Sequence, residues 1–70
     1  MMRARFEPKV LDTLRPHLVP LIGHEGEWEL AFRQDEGPYA GQNCYYLDRG
    51  DPRYRETRAK WVPAEDLVPV

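Results

Sequence analysis

Serine is missing from this chain altogether, and cysteine occurs once, at Cys44. The first absence removes the Ser-His-Asp class of nucleophilic site. The second removes any internal disulfide and any cysteine-rich zinc site. A lone thiol suits a reducing interior better than a secreted setting, so the expected location is the cytoplasm. Long apolar runs are missing too. No window approaches the ~20 residues of a membrane span, and the opening "MMRARFEPKV" holds no apolar stretch of signal-peptide type. The five glycines fall in neither the Walker nor the dinucleotide-binding spacing. Positive charge is not in excess: 10 Lys and Arg stand against 12 Asp and Glu, for a formal net charge of -2. That balance argues against indiscriminate nucleic-acid binding, which is driven by counterion release from phosphates. It leaves room for a local basic face.

What is present suits a small folded domain. The 70 residues make one domain at most, spanning 1–70. A hydrophobic fraction of 41% is too high for a disordered chain. A chain this short buries only about 60% of the surface its unfolded form exposes. Little space remains for a walled substrate pocket, which takes roughly 300 Å³ or more. The expectation is therefore an interaction module and not an enzyme, with no cofactor, no small-molecule substrate and no membrane contact. Arg outnumbers Lys by eight to two and proline occurs seven times, a mixture that fits a heat-adapted source.

The prolines punctuate the chain at the spacing of short strands, which predicts an all-β fold. Residues 1–8 read as a loosely ordered N-terminal arm. "KVLDTL" (Lys9 to Leu14) is expected as a first strand, with a helical turn as its rival. "RPHLVPLIGHEG" reads as an irregular loop, because Pro16 and Pro20 both deny ladder donors. "GEWELAFRQ" is the clearest element. Trp28, Leu30 and Phe32 alternate with Glu27, Glu29, Ala31 and Arg33, so the first set is expected in the core and the second outside. "NCYYLDR" is the next strand, with Tyr45 and Leu47 expected inside. "RGDPRYRE" reads as a charged turn and "TRAKWV" as a strand stopped by Pro63. "PAEDL" reads as one helical turn with Glu65 and Asp66 exposed, and "LVPV" as a short last strand.

Five short strands with one 3-10 turn before the last is the plan of an SH3-like barrel. "LVPLIGHEGEWE" resembles the loop-and-strand segment of KOW-type bacterial domains, with Gly23 and Gly26 in the Gly-x-x-Gly step. "WVPAEDLVPV" is similar to the closing segment of many small SH3-like domains. Together they cover roughly a third of the chain. The resemblance implies a binding module for RNA, DNA, ribosomal or transcription components, or peptides. One departure bears on that choice. Nucleic-acid-binding KOW segments are usually basic around these glycines, whereas Glu25, Glu27 and Glu29 stand here.

Candidate chemistry is sparse. His24-Glu25 lacks the second His four residues on that a zinc helix needs, since position 28 is Trp28. His17, His24, Glu25 and Cys44 match no standard ligand spacing, so no metal is expected. Glu27 and Glu29 lie on the polar face of a strand, where carboxylates are solvated and pair with Arg across the sheet. Cys44, in a strand, acts most often as a small hydrophobe. What stands out is "PRYRETRAKW", where Arg53, Arg55, Arg58 and Lys60 lie among Tyr54 and Trp61. Arg with aromatics is the composition of protein hot spots and of single-stranded nucleic-acid sites. It is equally that of a solvated turn whose arginines pair with Glu25, Glu27 and Glu29. The function expected is protein binding through Tyr39, Tyr46, Arg53, Tyr54, Arg55, Arg58 and Trp61. The alternative is RNA or single-stranded DNA binding of KOW-like type.

Overall fold

Met2, Ala4 and Phe6 alternate with Arg3 and Arg5, a period-two pattern that puts one face of an extended segment into a core. In the computed structural model, which describes residues 1–57 and 60–70, this segment is the first strand, β1 (Met2–Phe6). The arm expected over residues 1–8 is thus an integral strand, with Ala4 and Phe6 fully buried. Pro8, with no N–H to donate, comes just after the end of the strand. The strand expected over Lys9 to Leu14 is instead irregular. Val10 and Leu11 there are exposed, and Leu14 packs against the edge of the core.

The remaining strands are β2 (Glu25–Arg33), β3 (Asn43–Leu47), β4 (Val62–Pro63) and β5 (Leu67–Pro69). They form one antiparallel sheet in the order β4-β3-β2-β1-β5, curled into a half-barrel. The expected all-β class with five strands therefore holds. The strand expected over "TRAKWV" is shorter than its sequence suggests. Thr57 closes a single helical turn, α1 (Tyr54–Thr57), where its hydroxyl donates to the Tyr54 carbonyl at 2.7 Å. Lys60 and Trp61 are irregular, and pairing begins at Val62. Pro63 is tolerated because β4 is an edge strand. The expected 3-10 turn is present at Ala64–Asp66, between β4 and β5.

Trp28 and Phe6 centre the core, their rings 6.1 Å apart and tilted by 38°. The Trp28 indole N–H donates to the Ala4 carbonyl at 3.1 Å, which satisfies the one polar atom that so deep a ring brings inside. Leu47 and Val62 join from β3 and β4. Leu18 and Leu21 come from Pro16–Leu21, expected as irregular loop but folded as a 3-10 segment. Pro16 opens the segment, where its missing N–H would have no partner in any case. Gly23 comes next at φ +83°, a left-handed conformation that favours glycine. There its N–H bonds the Phe6 carbonyl at 2.7 Å and locks the loop to β1.

Two expectations about side-chain direction change. Leu30 is 56% exposed rather than core, because the paired part of β1 ends opposite Trp28 and Leu30 lies beyond it. The register against β3 also shifts: Leu30 opposes Tyr45, but Phe32 opposes Cys44, so Ala31 is an extra residue in a β-bulge. Leu47 is buried as expected, with Tyr45 packed against the core, and Cys44 is buried as well. Of the three glutamates of β2, Glu25 and Glu27 pair across the sheet with β1, and Glu29 forms no ion pair among the described residues. Arg3 lies 3.7 Å from Glu27, and Arg5 lies 3.3 Å from Glu25. Both pairs are largely exposed, and such pairs contribute about 0–1 kcal/mol each.

Candidate functional site

Trp61 precedes β4 and is only partly buried, and three side chains hold its ring. Phe32 approaches at 5.8 Å and 81°, and Tyr39 at 5.7 Å and 84°. Both are edge-to-face contacts, the arrangement that ring quadrupoles favour, worth about 0.5–1.5 kcal/mol each. The Arg15 guanidinium lies over the ring, 4.9 Å from its centroid, and Arg15 Nη2 donates to the Trp61 carbonyl. A cation over an indole face adds about 0.5–1 kcal/mol at an exposed site. The ring is therefore fixed in place before anything binds, although it lies outside the main core.

Beside Trp61 runs a groove of about 230 Å³. The irregular segment 9–15 forms one wall, with Val10 and Leu14, and Tyr39 from the β2–β3 connection contributes on the Trp61 side. Val62, Pro63 and the 3-10 turn complete it. The volume falls short of the roughly 300–1,000 Å³ that small-molecule sites occupy. It has room for one or two amino-acid side chains. The wall is braced from behind by Gln42, whose Nε2 donates to Glu65 Oε1 at 2.5 Å and whose Oε1 accepts the Glu65 N–H at 3.1 Å. Asp66, expected to be exposed, is buried, and its Oδ1 accepts the Lys9 N–H at 3.3 Å. Burial pushes its carboxyl above the ordinary range and the neighbouring Glu65 adds to this, against the opposing Lys9 N–H and the charges of Lys9 and Arg15.

The seven residues singled out in the sequence do not form one site. Tyr39 and Trp61 share the groove. Tyr46 and Tyr54 line a separate hollow of about 240 Å³ with Arg49 and Glu29. Arg53 holds the scaffold together: it bonds Glu56 Oε2 through Nε at 2.8 Å and Nη2 at 2.6 Å, and Nη2 donates to the Pro20 carbonyl at 2.6 Å. Its carboxylate partner is thus its own helical neighbour and not a glutamate of β2. Arg55 is exposed, and Arg58 lies outside the described residues. Sequence reasoning misses Arg15, Lys9 and Phe32. Phe32 carries a legible signal, but alternation assigns it to the core.

His24 turns out to be structural. Its Nε2 lies 2.8 and 3.0 Å from the two oxygens of Asp51, with both side chains largely buried. The pair ties the start of β2 to the turn after β3. Asp51 also accepts the Arg53 N–H at 2.8 Å. Burial pushes the Asp51 carboxyl up, but the Arg53 N–H, the His24 bond and the charges of both neighbours outweigh it and hold the group below its ordinary value. Cys44 is fully buried; burial raises its thiol against a Gln34 backbone bond and the Arg15 charge, which makes it a poor nucleophile. Among the described residues, no three of His, Cys, Asp and Glu assemble as a metal-ligand set, and no helix is long and apolar enough to cross a membrane. No protein-family profile, curated protein or solved structure matches the chain.

Proposed function

We propose that the chain is an SH3-like barrel that works as a non-catalytic, protein-binding module through the Trp61 groove. The sheet order β4-β3-β2-β1-β5, with a 3-10 turn joining β4 to β5, supports the barrel reading. The observation that carries the function is the fixed, half-buried Trp61 beside a groove smaller than the usual small-molecule site. Aromatic anchors that keep one geometry lose little entropy on binding, which is why they dominate protein hot spots. The working surface is Trp61 and Tyr39 with Arg15, while Tyr46, Tyr54 and Arg55 supply a second contact area. Nucleic-acid binding draws less support, because Arg53 is engaged within the fold and the sheet face carries Glu25, Glu27 and Glu29.

Amide shift mapping of the labelled chain against fractionated cell extract tests this. The expected perturbations cluster at residues 9–15, 39 and 61–66. They survive nuclease treatment and vanish on protease treatment of the extract or with Trp61→Ala. The buried Trp28 remains in that variant as a fluorescent reporter of folding. Perturbations removed by nuclease, or weakening steeply with salt, would transfer the site to nucleic acid.

A further inference from the structure

The charges around the groove are unequally exposed. Four charged side chains line it: Lys9, Arg15, Glu65 and Asp66. Of the two carboxylates, Glu65 is half-buried and held by Gln42, whose amide donates to Oε1 at 2.5 Å. Asp66 is buried, with Oδ1 accepting the backbone N–H of Lys9 at 3.3 Å. The two cations act on the buried Asp66 charge only at a distance. Neither the Lys9 ammonium nor the Arg15 guanidinium forms an ion pair among the described residues. Arg15 spends one of its five N–H donors on the Trp61 carbonyl and lays its plane over the indole, which leaves donors free. Lys9 is exposed at the other end of the same 9–15 segment, next to Val10, which is 58% exposed.

We infer that the groove selects an acidic partner: a short protein segment in which an aliphatic side chain, seated against Trp61 and Val10, stands next to an Asp or Glu held by Lys9 and Arg15. This rests on the protein-binding reading above and adds the chemistry of the partner. An incoming carboxylate meets two cations with donors to spare, so it recovers the hydrogen bonds it loses on leaving water. An incoming Lys or Arg meets those same cations and only one carboxylate near the surface, Glu65, since Asp66 is buried. Like charges brought together in this way select against the wrong partner.

The test is selection of random heptapeptides, displayed on phage, against the full chain, its Trp61→Ala variant and its Lys9→Glu variant. Position 9 is exposed and its hydrogen bond to Asp66 comes from the backbone N–H, so its side chain can be exchanged without removing that bond. The expected peptides carry Asp or Glu beside Leu, Ile, Val or Pro and fail on Trp61→Ala. As synthetic peptides they lose about tenfold in affinity on Lys9→Glu, the loss corresponding to one charge contact. Selection on Lys9→Glu returns peptides with Lys or Arg instead. Peptides that need Trp61 but show no acidic preference, or a basic one on the parent chain, would overturn the acidic partner and leave the protein-binding reading standing. If peptides were recovered that ignore Trp61→Ala, or none at all, both would fall.

Discussion

Adding a single methyl group at Gly26 puts the scaffold's tightest contact under test. Gly26 is buried in β2 opposite Ala4, and its backbone is ordinary extended strand. What demands glycine there is proximity. A Cβ would stand 2.6 Å from Asp51 Oδ2, 3.1 Å from Leu47 Cδ1 and 3.3 Å from His24 Nε2. Ordinary contact begins at 3.4 Å, so the Asp51 oxygen must retreat by about 0.8 Å. It cannot retreat freely, because His24 and the Arg53 N–H both hold the carboxylate. Overpacking costs about 1–3 kcal/mol, and loss of a charge-assisted bond costs about 1.5–3 kcal/mol. Alanine recovers about 0.5–1 kcal/mol over glycine in a strand. For Gly26→Ala the net expectation is a destabilisation of about 2 kcal/mol, with one of the two costs dominating. A domain of this size loses roughly 4–8 °C of Tm per kcal/mol, so the transition should fall by about 8–16 °C. Urea and thermal denaturation followed by circular dichroism measure it. The same change in an Asp51→Ala background should cost less than about 1 kcal/mol, since the main obstacle is gone. Equal costs in both backgrounds, or a Gly26→Ala chain as stable as the parent, would refute the proximity argument.

Two carboxyl groups, those of Asp66 and Asp51, respond to pH with opposite signs. The Asp66 carboxyl titrates higher in the folded chain than in the unfolded one, so the folded state binds the proton more tightly. Stability then falls as pH rises from the unfolded value near ~3.9 through the folded value, and remains lost at neutral pH. Asp66→Asn keeps an Oδ1 acceptor for the Lys9 N–H and should be more stable than the parent at pH 7, converging with it in acid. A less stable Asn variant at pH 7 would contradict this. For Asp51 the folded value is lowered, so its contribution is full above ~3.9 and is lost as pH falls through the folded value. Asp51→Asn should cost about 1–2 kcal/mol at pH 7, with the difference from the parent shrinking in acid; chemical denaturation across pH 2–7 reads it.

Periodicity and proline placement reveal much of this fold. β2, the 3-10 turn at Ala64–Asp66 and β5 are all legible because each is a local pattern. β1 is equally local, with Met2, Ala4 and Phe6 alternating, but its two arginines beside the chain start give it the look of a charged arm. Their purpose is visible only when β2 lies alongside and supplies Glu25 and Glu27. The contacts that build the site and its supports are less legible for the same reason. Arg15 reaches Trp61 across 46 residues, Gln42 reaches Glu65 across 23, and His24 reaches Asp51 across 27. No spacing rule connects residues so far apart. Tyr39 and Trp61 stand out as aromatics outside the obvious core, whereas the cations that accompany them do not.

The bulge at Ala31 shows why the clearest strand misleads about the site. Up to Trp28 the alternation of β2 builds the core, and Trp28 opposite Leu47 is its centre. One extra residue at Ala31 reverses the facing of the residues after it, since Phe32 then opposes Cys44 and not the residue that strict alternation requires. Had the alternation continued, Phe32 would have faced the same way as Leu30, beyond the end of β1 and with no strand on that side. The shift instead carries Phe32 to Trp61, edge to face at 5.8 Å, where it steadies the ring that borders the groove. A single β-strand thus serves the core with one half and the groove with the other. The place where a period-two reading fails is the place where the strand changes its task.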